Sequence, residues 1–150
     1  MTQEEKDLLL RDLCARLPYK VKLFVEGWDS DRGCEFNTVE TLIGTDDKFI
    51  YTIWDKTGDK DKHSIIEPFS ILDYKPYLRP MSSITEDELQ RYYELCDVDE
   101  AVGVGSSIEI IATHDTPKSL DYLNSIHVDY RGLIPKDLAI STEVFNPYKE

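Results

Sequence analysis

The sequence is poor in the residues that build metal and redox sites: its 150 residues include three cysteines and three histidines. Cys14, Cys34 and Cys96 are widely spaced and form no C-x-x-C pair, so neither a zinc site nor a dithiol redox centre is expected. An odd set of scattered thiols fits a reducing compartment better than a disulfide framework. No two of His63, His114 and His127 have the i, i+4 spacing of a helical metal pair. His114-Asp115 falls in a predicted loop and reads as solvated, and His127 reads as a packing residue at a helix end. Glycine offers no phosphate cradle, because Gly103-Val104-Gly105 lacks the later glycine of a dinucleotide fingerprint and no Gly-Lys-Ser/Thr follows. Ser106-Ser107 lies in no nucleophile elbow. Apolar runs are short, and none approaches the ~18–20 residues that span a bilayer. The first residues, Met1-Thr2-Gln3-Glu4-Glu5, are acidic where an export signal is basic. These absences together predict a cytoplasmic, non-enzymatic chain with no cofactor, no metal and no membrane contact.

Positive charge is also scarce. Lys and Arg total 17 against 30 Asp and Glu, a net charge of −13. Residues 1–80 hold 12 basic and 16 acidic side chains (−4), and residues 81–150 hold 5 and 14 (−9). Such a surface repels a phosphate backbone, so direct nucleic-acid binding is not expected, whereas a basic protein would be attracted.

What is present is enough for a core: 41% of residues are hydrophobic and 11% aromatic. Thr2 and Glu5 have capping-box spacing, and Leu10, Leu13, Cys14 and Leu17 follow at i, i+3, i+4, i+7. That pattern predicts a helix ending at Pro18, with Cys14 buried on its inner stripe. The period then changes. Val21, Leu23 and Val25 alternate with Lys20, Lys22 and Glu26, which predicts a half-buried strand. Gly27 to Gly33 reads as a loop. Further strands are predicted at about Phe36–Ile43, Phe49–Trp54 and His63–Ile66, with Tyr77-Leu78 a candidate fifth. Short strands joined by tight polar loops suggest a small antiparallel barrel or a strongly bent sheet.

After Pro80 the pattern returns to helix. Thr85 and Glu88 again have capping-box spacing, and Leu89, Tyr92, Tyr93 and Cys96 form one stripe, with Cys96 expected to be buried. Ser106–Thr113 reads as a strand. Thr116 with Pro117 predicts the start of another helix, with Leu120, Leu123 and His127 facing inward. Leu133 and Ile134 are expected inside, and 141–150 carries no periodic pattern. The expected class is therefore α+β: an N-terminal helix, a small antiparallel barrel-like sheet, and a C-terminal half of two or three helices with one strand. Residues 1–80 would form the helix-plus-sheet unit and 81–150 an acidic unit packed on it as one body.

Candidate interaction residues follow from composition. Trp28, in the Gly27–Gly33 stretch, is either a plug over the sheet's end or an exposed anchor. Arg32, Arg79 and Arg131 are the cations available for a phosphate group. Asp97, Asp99 and Glu100 lie past a helix C-terminus, where the dipole disfavours acids, so local structure does not explain them. Tyr77 and Arg79 belong to the Tyr74–Pro80 stretch, whose prolines suggest a rigid connector of polyproline character.

Three stretches carry a resemblance: Lys75-Pro76-Tyr77-Leu78-Arg79-Pro80-Met81-Ser82-Ser83, Asp121-Tyr122-Leu123-Asn124-Ser125 and His127-Val128-Asp129-Tyr130-Arg131-Gly132-Leu133-Ile134. Together they resemble short acidic proteins of gut Bacteroidales and their phages or prophages, over most of residues 17–140. Members of that group often have two adjacent histidines where this chain has Ile126-His127. The resemblance implies a mobile-element origin and a bacterial cytoplasmic setting, and it brings no catalytic residue. The leading expectation is a non-enzymatic accessory protein that binds another protein. One sharper form is an acidic nucleic-acid mimic working through Asp97, Asp99 and Glu100; a different class is a small-molecule or nucleotide-binding protein.

Overall fold

A computed structural model of the chain describes residues 1–29, 33–46, 50–54, 74–96 and 116–149. Helix α1 runs Gln3–Arg16. Its start is the expected capping box: the Glu5 N–H donates to Thr2 Oγ1 (3.2 Å) and the Thr2 N–H to the Glu5 carboxylate (2.6 Å). The buried stripe is displaced by one residue from the expected one. It consists of Leu9, Asp12, Leu13 and Arg16, at the same i, i+3, i+4, i+7 spacing, while Cys14 is exposed. Periodicity of apolar residues misses this face because two of its four members are charged and neutralise each other inside.

Strands β1 (Lys22–Asp29), β2 (Cys34–Thr45), β3 (Ile50–Trp54), β4 (Tyr74–Leu78) and β5 (Ile140–Ser141) form one sheet in the order β3-β2-β1-β4-β5. All pairings are antiparallel except β4 with β5. The class is α+β, and among the described residues the sheet is open rather than closed on itself. β5 pairs only Tyr77 and Leu78, too short a contact to carry the sheet round. The predicted alternation holds in β1, where Leu23 and Val25, like Val21 just before the strand, are at most 1% exposed. Gly27 and Trp28, expected in a loop, continue β1, and Trp28 pairs with Glu35. β2 runs past Ile43, with a bulge at Leu42/Gly44 that absorbs the expected stop.

Tyr74–Pro80 is not a polyproline connector: its first five residues are β4. Pro76 sits opposite Leu23 of β1. β5 begins alongside Tyr77, so Pro76 has no second neighbour demanding its missing N–H. The strands expected at 63–66 and 106–113 lie outside the described residues.

Helix α2 (Glu86–Leu95) starts with the expected box from Thr85 and Glu88, and α3 (Pro117–Ser125) starts at Thr116-Pro117 as expected. Two apolar clusters result. Leu9, Leu13, Val21, Leu23, Val25, Leu42, Ile50, Tyr74 and Leu78 pack with Leu133, Leu138 and Ala139, so the C-terminal segment completes the sheet's own core. Tyr92, Cys96 and Leu123 form the second, flanked by Met81, Ile84, Leu89, Tyr93 and Tyr130. Cys96 is buried as expected.

One hydroxyl ties α2 to α3. Thr116 Oγ1 accepts from the Ser119 N–H (3.1 Å) and donates to the Leu95 carbonyl (2.7 Å), one of the last carbonyls of α2. Thr116→Ala is expected to cost about 1–2 kcal/mol, because it strips a cap and a C-terminal partner together. Thr116→Ser should recover most of that loss in urea unfolding.

Candidate functional site

The most elaborated chemistry in the described residues is a buried charge hub between the two apolar clusters. Asp12 and Arg16, one turn apart on α1, are both fully buried. Arg16 donates through Nε and Nη2 to the two Asp12 carboxylate oxygens (2.7 and 3.1 Å), a fork-to-fork pair. Its remaining donors reach the Val128 carbonyl (2.8 Å) and the Asn124 carbonyl (3.4 Å). Arg131, 18% exposed, adds a second guanidinium to Asp12 (2.9 Å). Tyr130 lies under both cations, 4.7 Å from the Arg131 guanidinium and 5.7 Å from that of Arg16, and its hydroxyl donates to Asn124 Oδ1.

The loop supplying these groups is itself built by side chains. Asp129 is 5% exposed, and its carboxylate accepts the N–H groups of Leu133 and Ile134 (2.8 Å each). Gly132 takes φ +69°, a left-handed conformation that favours glycine. His127 takes φ +56°, directing its ring onto Tyr148, with centroids 4.5 Å apart and planes within 13°.

The stretch around Arg79 meets this loop directly. The Arg79 N–H donates to the His127 carbonyl and the Asp129 N–H to the Arg79 carbonyl, both at 2.8 Å. Arg79 and the 127–129 stretch, distant in sequence, are thus paired by backbone bonds. The Arg79 side chain turns the other way. It donates to both Glu88 carboxylate oxygens (2.7 and 2.9 Å), to Ser83 Oγ (3.2 Å) and to the Ser83 carbonyl (2.7 Å). Arg79 thereby fastens the end of β4 to the first turn of α2.

The candidate residues are placed as follows. Arg79 and Arg131 have their guanidiniums on internal carboxylates, about 25% and 18% exposed. Tyr77 is buried, ring to ring with Phe145 (5.6 Å) and Phe24 (6.4 Å). Trp28 lies near the far end of β1 from this hub. Arg32, Asp97, Asp99 and Glu100, with His63 and His114, lie outside the described residues. Sequence reading missed Asp12, Arg16 and Tyr148. Their one legible signal was an i, i+4 Asp–Arg pair on α1, a spacing that usually marks a solvated surface pair.

Two groups have displaced acidities. The Arg79 fork, aided by the Thr85 backbone, lowers Glu88 from 4.5 to about 2. A depressed carboxylate stabilises the fold above its unfolded value, and that contribution disappears as pH falls from about 4.5 towards 2. Solvent screening at a quarter-exposed pair leaves about 1–2 kcal/mol. The stability gap between wild type and Glu88→Gln should therefore close between pH 5 and pH 2 in urea titrations. Burial, reinforced by the positive charges of Arg16 and Arg79 and opposed by Asp12, lowers His127 from 6.5 to about 4. His127 is thus a neutral, packed ring at pH 7.

Among the described residues, no group of three or more His, Cys, Asp or Glu could hold a metal ion, and no helix is long and apolar enough to cross a membrane. The fold and hub define an open-sheet α+β protein whose two apolar clusters are joined through buried ion pairs. No family model, curated protein or solved structure matches the chain.

Proposed function

We propose that this protein is a non-enzymatic accessory protein of a bacterial mobile element, active in the cytoplasm by binding another protein. The observation that carries the reading is an apolar ledge on an anchored C-terminal segment. Val144 is 83% exposed and Phe145 53% exposed, yet Phe145 rests on the buried Tyr77, which in turn meets Phe24. A pre-positioned aromatic is what a protein interface uses as an anchor, since little side-chain entropy remains to be lost. The net charge of −13 favours a basic partner and would accelerate its approach. The resemblance to proteins of phages and prophages supports the mobile-element setting. Arg79 and Arg131 are engaged with carboxylates, which weighs against the nucleotide-binding alternative.

The test is affinity capture from bacterial lysate at low and high salt, with wild type and Phe145→Ala side by side. One stoichiometric partner is expected, weakened by salt and lost with Phe145→Ala. Capture of nothing at either salt would overturn the reading.

A further inference from the structure

The ring stack between His127 and Tyr148 has the geometry of a latch. Tyr148 holds the C-terminal segment to the sheet by its hydroxyl, which accepts the Lys22 N–H (3.0 Å) and donates to the Tyr77 carbonyl (3.0 Å). In the β1–β4 register Leu23 faces Pro76, so Lys22 and Tyr77 would be the next opposed pair. The hydroxyl therefore occupies the fork where β4 leaves β1 to meet β5. Lys22 still belongs to β1, paired with Thr41 on its other side.

His127 closes the fork from behind. Its Nδ1 is buried and has no hydrogen-bond partner. The left-handed backbone at His127 fixes the ring against Tyr148. Around the ring, α1 presents Arg16 and Asp12, the residue after β4 is Arg79, and the C-terminal segment presents the Tyr148 phenol, which burial keeps un-ionised. Its own loop carries Asp129, bonded to the Leu133 and Ile134 amides, and Arg131, bonded to Asp12. Asp12 is already shared by two guanidiniums, so it has little left to offer an imidazolium.

We infer that the His127–Tyr148 stack is a proton-sensitive latch, which holds segment 145–149 on the β1–β4 fork while the imidazole is neutral and releases it when the ring is protonated. Protonation would add a cation within the field of Arg16 and Arg79 and leave a buried N–H without an acceptor, a state relieved by turning the ring out to water. The sign follows from a depressed histidine. The latched state is fully favoured above the ordinary value of 6.5, and the preference is lost as pH falls to about 4. The released fraction should rise by about tenfold per pH unit across that window, at most roughly 300-fold, ten to the power of the 2.5-unit difference. The latch is independent of whether the segment binds a partner.

Amide exchange read by NMR from pH 7 to pH 3, corrected for intrinsic rates, tests it. The Lys22 amide, bonded to Tyr148, is expected to lose protection about tenfold per pH unit below 6.5. The Leu42 amide, bonded to Val21, should keep its protection. His127→Asn retains a residue that tolerates positive φ but does not titrate, and its Lys22 protection should be flat. Equal loss at Lys22 and Leu42, or an unchanged Lys22 profile in His127→Asn, overturns the latch. If the variant does not fold, wild type still decides. The Lys22 loss must level off where the His127 imidazole itself titrates, and a loss continuing below that midpoint overturns the proposal.

Discussion

Asp12→Ala is expected to destabilise the protein by about 3–5 kcal/mol, the cost of leaving a buried guanidinium without its carboxylate. Arg16 is fully buried and cannot reach water without displacing α1 from Asn124 of α3 and Val128 of the loop after it. A domain's net stability is only about 5–15 kcal/mol, so this substitution removes a large share of it. The fall in Tm should be roughly 10 °C, at 2–4 °C per kcal/mol for a chain of this size. Arg131→Met should cost about 1 kcal/mol, since its head is nearer to water and Asp12 keeps the Arg16 fork. The double variant Asp12→Leu with Arg16→Met should be more stable than Asp12→Ala alone, because it removes both charges and fills the space with apolar atoms. Urea unfolding followed by circular dichroism measures all three. A cost below 1 kcal/mol for Asp12→Ala would show that the hub does not hold the two clusters together.

Arg79→Ala should cost about 2–3 kcal/mol, the scale of hydrogen bonds to a charged group lost from a partly buried site. Its four donor contacts join β4, the 3-10 turn at Met81–Ser83 and α2. Arg79→Lys should recover little, because an ammonium cannot span both Glu88 oxygens and also bond Ser83. The loss should be local at first. Exchange protection is expected to fall in α2 before it falls in β1, whose ladders with β2 and β4 do not depend on the guanidinium. Full recovery in Arg79→Lys would mean that simple charge, not the planar fork, fastens α2.

Legibility of the sequence divides along the range of each interaction. The starts of α1, α2 and α3 are readable because a cap is a local signal within four residues: Thr2 with Glu5, Thr85 with Glu88, and Thr116 with Pro117. The stripe of α2 and the alternation in β1 were readable because apolar residues alone define them. The stripe of α1 was misplaced by one residue, since hydrophobicity assigns Asp12 and Arg16 to water and only their mutual neutralisation brings them inside. In the Tyr74–Pro80 stretch the candidate strand at Tyr77-Leu78 is the end of β4, whereas the two prolines wrongly signal a polyproline connector for the rest. Only the position of β5 shows that Pro76 owes no N–H to a neighbour.

The candidate site was the least legible part. Arg79 and Arg131 were visible as cations, but their carboxylate partners are fixed by the packing of α2 and α1, 9 and 119 residues away. Tyr148 stood in a stretch with no periodic pattern, and nothing local ties it to Lys22 or to His127. By itself the sequence determined the class, the capped helix starts, the alternating strand and the acidic surface, because each follows from residues within a turn or two of one another. The tertiary structure alone decided which charges are buried, where β4 ends and what anchors the C-terminal segment. Those outcomes depend on groups brought together across more than a hundred residues, where pairing overrides the preference of a lone charge for water.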